Sequence, residues 1–354
     1  MPRIMHRKAI IHSLAVIATA LATCAPAQVP PEKTEIARLL ALGGERFSIH
    51  RTEHFLIASD GDEGIVTPLA DRLEAAYQAV VRFAEDLKIP IHPPPDPLPV
   101  LLFSRHSDFE RYAGAVGLKD PAAPGFYLPR NNTAAFCNIL DLPPLRDISQ
   151  RIEQAEAPER IIDWRSQRDE IVETFNRVVI QHETAHQVLF NIGVLSRDAD
   201  NPDWLVEGLA CQFEVSLPNA VNQMRLADFR EALDATPDAV NAAESALSAA
   251  KSDKRFLSLA DLVADDEFKV ADESKRTIRY AQAWALVDYL HRTRADAFAV
   301  YVRRIATYPR NERTDRQHRI TEFQSVFGSL DQAFEQLWIE SVLNLPFDPR
   351  QARR

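Results

Sequence analysis

Arg177 to Phe190 read RVVIQHETAHQVLF, and Asp203 to Glu214 read DWLVEGLACQFE. The first stretch is apolar around most of a helical circumference, through Val178, Val179, Val188 and Leu189. His182 and His186 are four residues apart, so on a helix they stand one turn above each other on the same face. Two imidazoles placed that way can reach one metal ion, and Glu183 leans over the same point without having to ligate. A glutamate in that position can hold and deprotonate a water at the metal. Two histidines and a glutamate packed as ordinary core residues would be expensive to bury without a cation. A chance HExxH has odds on the order of a few percent in one chain of this size.

The second stretch supplies a third ligand. Twenty residues separate His186 from Glu207, enough for a loop that turns back and starts a second helix. The apolar neighbours Trp204, Leu205, Leu209 and Phe213 argue against a surface carboxylate. Two histidines and one carboxylate leave a fourth zinc position open, which is a catalytic rather than a structural arrangement. The predicted ligands are therefore His182, His186 and Glu207, the cofactor Zn2+, and the general base Glu183. Glu214 lies beyond Glu207 and has two readings: it holds the outer nitrogen of a zinc histidine, or it is a helix-end carboxylate in a salt bridge.

Working outward, the N-terminal part reads as mixed α/β. A helix is expected over Glu32–Leu42, a strand over Glu53–Ser59, and a long amphipathic helix from Val66 to Leu87. Six prolines between Pro90 and Pro99 predict a stiff extended loop. A buried strand Pro99–Phe103, a helix His106–Val116, and a strand pair Gly125–Leu128 and Thr133–Asn138 follow. Asn131–Asn138 is the candidate for a sheet edge beside the metal, against which extended substrate would pair, with an internal strand as the alternative. Residues 148–168 are charged and read as a surface insertion. From Asp169 to Ile192 a single helix ended by Gly193 is expected. Helices are also predicted over Thr277–Arg292 and Leu330–Leu345. The expected fold class is α+β, with a signal segment at 1–27, an α/β half at 28–142, the zinc-binding helices at 143–220 and a helical subdomain at 221–354.

Composition narrows the function. Arg3, Arg7 and Lys8 precede the apolar run 9–22 and the small residues CAPA, the layout of a secretory signal cleaved after Ala27. The rival reading is a lipoprotein signal, LATC, with Cys24 acylated, for which Thr23 is a poor fit. Cleavage would remove three positive charges and no negative ones, taking the net charge from −10 to −13. So acidic a protein is a poor partner for nucleic acid or anionic lipid, and no later stretch is apolar enough to span a bilayer. The expected location is periplasmic or secreted. Cys137 and Cys211 remain after cleavage, and in an oxidising compartment they are expected to come within disulfide reach, against the alternative of two buried thiols.

HETAHQ, WLVEGLA with its later glutamate, and YAQAWALVDYL (Tyr280–Leu290) resemble the core of the gluzincin metallopeptidases. The likeness extends to a secreted bacterial group of peptidase MA-like domains without assigned function, and more distantly to M1 aminopeptidases and thermolysin. It covers roughly residues 53–345, with the specific motifs inside 182–290. The resemblance implies a thermolysin-like catalytic domain and a tyrosine, here Tyr280, that stabilises the oxyanion. A core role is the alternative for Tyr280, since Trp284 and Val287 share its helical face. The implied activity is hydrolysis of a peptide or protein substrate. Endopeptidase is favoured over aminopeptidase, because M1 enzymes carry a GxMEN strand and this chain has no glutamate between Glu110 and Glu153. The rivals are a catalytically idle binding or assembly module and a hydrolase of a non-peptide bond.

Overall fold

The computed structural model describes residues 31–118, 123–215, 220–233, 256–264, 268, 272–309 and 313–352. The expected signal segment lies outside them. Five strands form one mixed sheet: β1 (Ser48–Arg51), β2 (Phe55–Ser59), β3 (Leu98–Phe103), β4 (Gly125–Leu128) and β5 (Thr133–Cys137). Their spatial order is β1-β2-β3-β5-β4. β2 and β3 run parallel with Phe55 opposite Leu98, and β3 and β5 run parallel with Val100 opposite Ala134. The outer strands are antiparallel to their neighbours. Parallel neighbours need crossovers, and helix α2 (Glu63–Asp86) makes the one between β2 and β3.

Side-chain alternation sends each strand's residues to two separate apolar layers. Leu56, Ala58, Leu101, Phe103, Phe126, Ala135 and Cys137 face one side, which is closed by α1 (Pro31–Gly43) and α3 (His106–Ala115). Phe55, Ile57, Val100, Leu102, Tyr127, Ala134 and Phe136 face the other, where they join one continuous core with α2 and the helical half. The helix α2 buries Val66, Leu69, Leu73, Ala76, Tyr77, Val80 and Ala84, as its periodicity predicts, and Asp62 caps its first turn.

The helical half begins at Pro143, where the segment of zinc-binding helices is expected to start. The charged stretch expected as an insertion forms α4 (Pro143–Gln154) and α5 (Pro158–Phe175), each opened by proline at its first turn. The single helix expected over Asp169–Ile192 is instead the end of α5, a π-helical turn over Asn176–Gln181, and α6 (His182–Asn191). Gly193, at φ +87°, terminates α6 in a conformation that favours glycine. Then come α7 (Asp203–Cys211), α8 (Gln223–Ala232), α9 (Leu259–Val263), α10 (Glu273–Thr293), α11 (Ala295–Ala306), α12 (Arg316–Phe327), α13 (Gln332–Leu343) and the short α14 (Pro349–Ala352). The molecule is α+β. No helix of the described residues is long and apolar enough to cross a membrane.

Two expectations fail here. Asn131–Asn138 is not a sheet edge: β5 is flanked by β3 and β4, and among the described residues the edge strands are β1 and β4. Cys137 and Cys211 are unpaired. Cys137 sits in the layer under α1 and α3, whereas Cys211 sits in the main core on the other side of the sheet.

Candidate metal centre

Three elements meet at the site. α6 is fixed to the sheet by Gln187, fully buried, whose Nε2 donates to the carbonyls of Pro99 (2.9 Å) and Asn132 (3.2 Å). α7 crosses it and packs tightly on α10. That approach needs Gly208, where an added Cβ would stand 2.5 Å from the Ala283 carbonyl oxygen. The third element is β4, whose Gly125 leaves room for Val179 of the π-helical turn; a Cβ there would lie 2.7 Å from the valine. A π turn next to a functional side chain is a recurrent placement.

His182 and His186 project from the same face of α6, both buried, with rings perpendicular and centroids 4.6 Å apart. Their Nε2 atoms are 3.0 Å apart. Glu207 Oε2 lies 3.2 Å from the first and 3.3 Å from the second. Three ligand atoms held by a tetrahedral ion at bonds of about 2.0–2.1 Å would be separated by roughly 3.3–3.4 Å. The triangle therefore has nearly the size such an ion requires.

With both rings neutral it is poorly satisfied. His182 Nδ1 stands 2.8 Å from Glu214 Oε1, and an ionised carboxylate only accepts, so Nδ1 carries the hydrogen. In a neutral ring Nε2 is then a bare lone pair, facing a second carboxylate and another imidazole. One cation would satisfy all three atoms at once. Burial opposes a charge on His182, but hydrogen bonding to Cys211, Glu207 and Glu214 outweighs it and holds the imidazole pKa well above its usual range. Burial likewise opposes ionisation of Glu207, and the two histidines overcome it, holding its carboxyl far below the ordinary range. The electrostatics favour positive charge between these groups.

Glu214 makes the contacts that both of its readings call for, one to the outer nitrogen of His182 and one in a buried salt bridge. It sits just past the end of α7, 1% exposed. Besides His182, it accepts from Arg225 Nε and Nη2, each at 2.8 Å, and from Asn222 Nδ2 at 3.1 Å. Burial alone would raise its pKa, but Arg225 and His182 bring it down to about 2. Arg225 and Asn222 were not singled out from sequence. Their only sign is an arginine within the otherwise core-facing segment of α8 that also buries Leu226 and Phe229.

Glu183 is partly exposed and accepts from the backbone N–H of Tyr127 on the free edge of β4 (2.9 Å). Burial raises its pKa above the usual carboxylate range, although His182, His186 and this N–H pull the other way. Tyr280, on α10, is partly buried; its ring lies 6.0 Å from that of His182 at a tilt of 27°. Burial and the nearby Glu207 raise its pKa, so the phenol keeps its proton. His182, Glu183 and Tyr280 line one cleft of about 470 Å³, walled by Gly125 and Phe126 of β4, Val178 and Val179 of the π turn, and α10.

All six residues singled out from the sequence thus come together: His182, His186 and Glu207 as a triangle able to hold a metal ion, Glu214 behind it, and Glu183 and Tyr280 in front. Residues 176–310, a stretch holding all six, are similar to a family described as "Protein of unknown function (DUF1570)". A search of curated proteins finds no match.

Proposed function

We propose that the chain is a zinc-dependent peptidase of the gluzincin type, acting outside the cytoplasm, where the N-terminal basic and apolar run would send it. One observation carries the reading: an open three-atom ligand triangle with a carboxylate, Glu183, beside it in the same cleft and not part of it. Two imidazoles and one carboxylate suit zinc and leave a position free. When bound, zinc would lower the pKa of a water molecule and polarise the scissile carbonyl.

The chain's own residues supply the remainder. Glu183 takes a proton from the attacking water and returns it to the leaving amine. Its raised pKa brings it closer to the pH at which an acid and a base of the same group both work. The Tyr127 N–H keeps one carboxylate oxygen in place and leaves the other for water. Tyr280, protonated, donates to the oxygen that becomes negative as the carbonyl is attacked. Glu214 fixes the His182 ring and its tautomer, so that Nε2 is the atom presented. The free edge of β4 offers extended backbone on the Glu183 side, which suits a peptide.

The test is metal analysis with a broad peptide-library digest of the parent, Glu183→Gln and Tyr280→Phe. The parent should carry one zinc and cleave peptides. Glu183→Gln should keep the zinc and lose a factor of about 10²–10⁴ or more in rate. Tyr280→Phe should keep the zinc and lose less. A parent that cleaves peptides no faster than Glu183→Gln would overturn the mechanism. His182→Ala and Glu207→Ala should each lose the metal.

A further inference from the structure

Along the cleft wall formed by α10, Glu273, Arg276, Thr277 and Tyr280 all line the cavity. They follow i, i+3, i+4, i+7 spacing, one continuous helical face. Tyr280 is the innermost, against His182. Arg276 comes four residues earlier, about 6 Å along the helix axis. Its backbone N–H closes the first helical turn on Asp272. Its guanidinium makes no ion pair or hydrogen bond with any described residue, although the side chain is half-buried.

The other charges at this wall are accounted for. Arg225, at the floor of the cleft, is neutralised by Glu214 at 2.8 Å through two hydrogen bonds. Glu183 is turned toward the ligand triangle and the Tyr127 N–H. Glu273 is exposed at the rim, where water screens it, and forms no ion pair with Arg276. Arg276 therefore presents a planar set of donors with no acceptor among the described residues, in a concave and partly desolvated place. That is the setting in which a guanidinium binds a carboxylate by two parallel hydrogen bonds.

We propose that Arg276 is a specificity-determining residue that anchors a carboxylate of the substrate. This rests on the peptidase reading above. An extended chain advances about 3.3–3.4 Å per residue. A spacing of about 6 Å from Tyr280 therefore puts the carboxylate one or two residues from the scissile bond. Two sources carry that chemistry: the side chain of Asp or Glu, and the C-terminal carboxylate of a short peptide.

The experiment compares the zinc-loaded parent, Arg276→Gln and Arg276→Lys on matched peptides. One series exchanges Glu for Gln at each of the two positions on either side of the cleaved bond. A second exchanges a free C-terminus for an amide. The acidic member of one series should be preferred by about tenfold in kcat/KM, the low end for a hydrogen bond to a charged group in a half-exposed place. The effect should fall on KM, because the anchor grips ground and transition states alike. Arg276→Gln should erase the preference, and Arg276→Lys should restore part of it. Both variants should keep the parent's zinc content, since the guanidinium supports no other side chain among the described residues. A Glu preference identifies an acidic residue as the ligand, and an amide penalty identifies the C-terminus.

The same peptides are also titrated by fluorescence anisotropy against Glu183→Gln, with and without Arg276→Gln. That arm reads carboxylate recognition without turnover. Absence of peptide cleavage by the parent would sink the peptidase reading and leave this arm decisive. Equal affinity for acidic and neutral peptides, or a preference that survives Arg276→Gln, would overturn the proposal.

Discussion

Replacing Glu214 by glutamine should weaken metal binding and the fold together. The carboxylate receives four nitrogen donors: His182 Nδ1, Arg225 Nε and Nη2, all at 2.8 Å, and Asn222 Nδ2 at 3.1 Å. Glutamine offers one acceptor oxygen and a donor NH2 group. If the oxygen stays with His182, the NH2 faces the Arg225 guanidinium, which is left buried without its counter-charge. Breaking such a pair costs about 3–5 kcal/mol. If the amide flips, its NH2 confronts the Nδ1–H of His182 and drives the proton to Nε2, the atom a metal needs. Either orientation should cost roughly 10–100-fold in zinc affinity.

The stability loss is read on metal-free protein by calorimetry, and the affinity by chelator competition. At this chain length each kcal/mol moves Tm by about 2 °C, so a fall of roughly 6–10 °C is expected. A double-mutant cycle with Arg225→Met separates the two effects. The pair should be less destabilised than the sum of the singles, because the second change removes the orphaned charge. Zinc affinity should recover only in part in the double variant, since a neutral amide oxygen holds the His182 Nδ1–H more weakly than the carboxylate does. A Glu214→Gln protein that melts within about 2 °C of the parent and binds zinc as tightly would refute the buried-pair account.

Gly208→Ala puts a methyl group 2.5 Å from the Ala283 carbonyl oxygen and 2.7 Å from a Val287 methyl. α7 must draw back from α10, at about 1–3 kcal/mol, and zinc titration should show weaker binding because Glu207 moves with it; unchanged melting and affinity would contradict this packing. Asp228 is raised to about 6 by burial, against the pull of Arg225, while an unfolded aspartate titrates near 3.9. The fold therefore holds the extra proton between about pH 4 and 6, and ionised Asp228 subtracts stability as pH rises through that window. Asp228→Asn should gain stability over the parent at pH 7, with the gain fading below about pH 4; denaturant curves showing the reverse trend would disprove it. Burial pushes the Cys137 thiol to about 12 and the Cys211 thiol to about 11. Both should resist alkylation in the native protein and both should alkylate after denaturation without reductant; failure of either to alkylate would indicate a disulfide.

The ligand triangle was legible because its geometry is local. His182 and His186 are related by one helical turn, and that relation survives any packing around it. Glu207 needed only a loop long enough to return. Glu214 was legible as a residue but not as a role, because its two readings are not exclusive: one carboxylate holds His182 on one side and Arg225 on the other. Arg225 and Asn222 were illegible, because their place depends on how α8 packs against the end of α7, and no spacing within one element encodes that. The two cysteines failed for a similar reason. Their separation is decided by which side of the sheet each element occupies.

The sheet edge shows where reading one strand at a time stops. Gly125–Leu128 and Thr133–Cys137 are both short, apolar and joined by a tight turn, so neither pattern says which of them meets β3. The pairing is set by direction: β5 runs parallel to β3, and the antiparallel β4 is left outside. One residue did carry the answer. A glycine inside a strand weakens it and commonly marks another backbone or helix coming close. Gly125 is such a residue, with Val179 and Phe136 filling the space its side chain would take. β4 can therefore lie under the π turn that leads into His182, and its Tyr127 N–H can reach Glu183. Of the two strands, only the one with the glycine could come that near the helix of His182 and still leave its outer edge free.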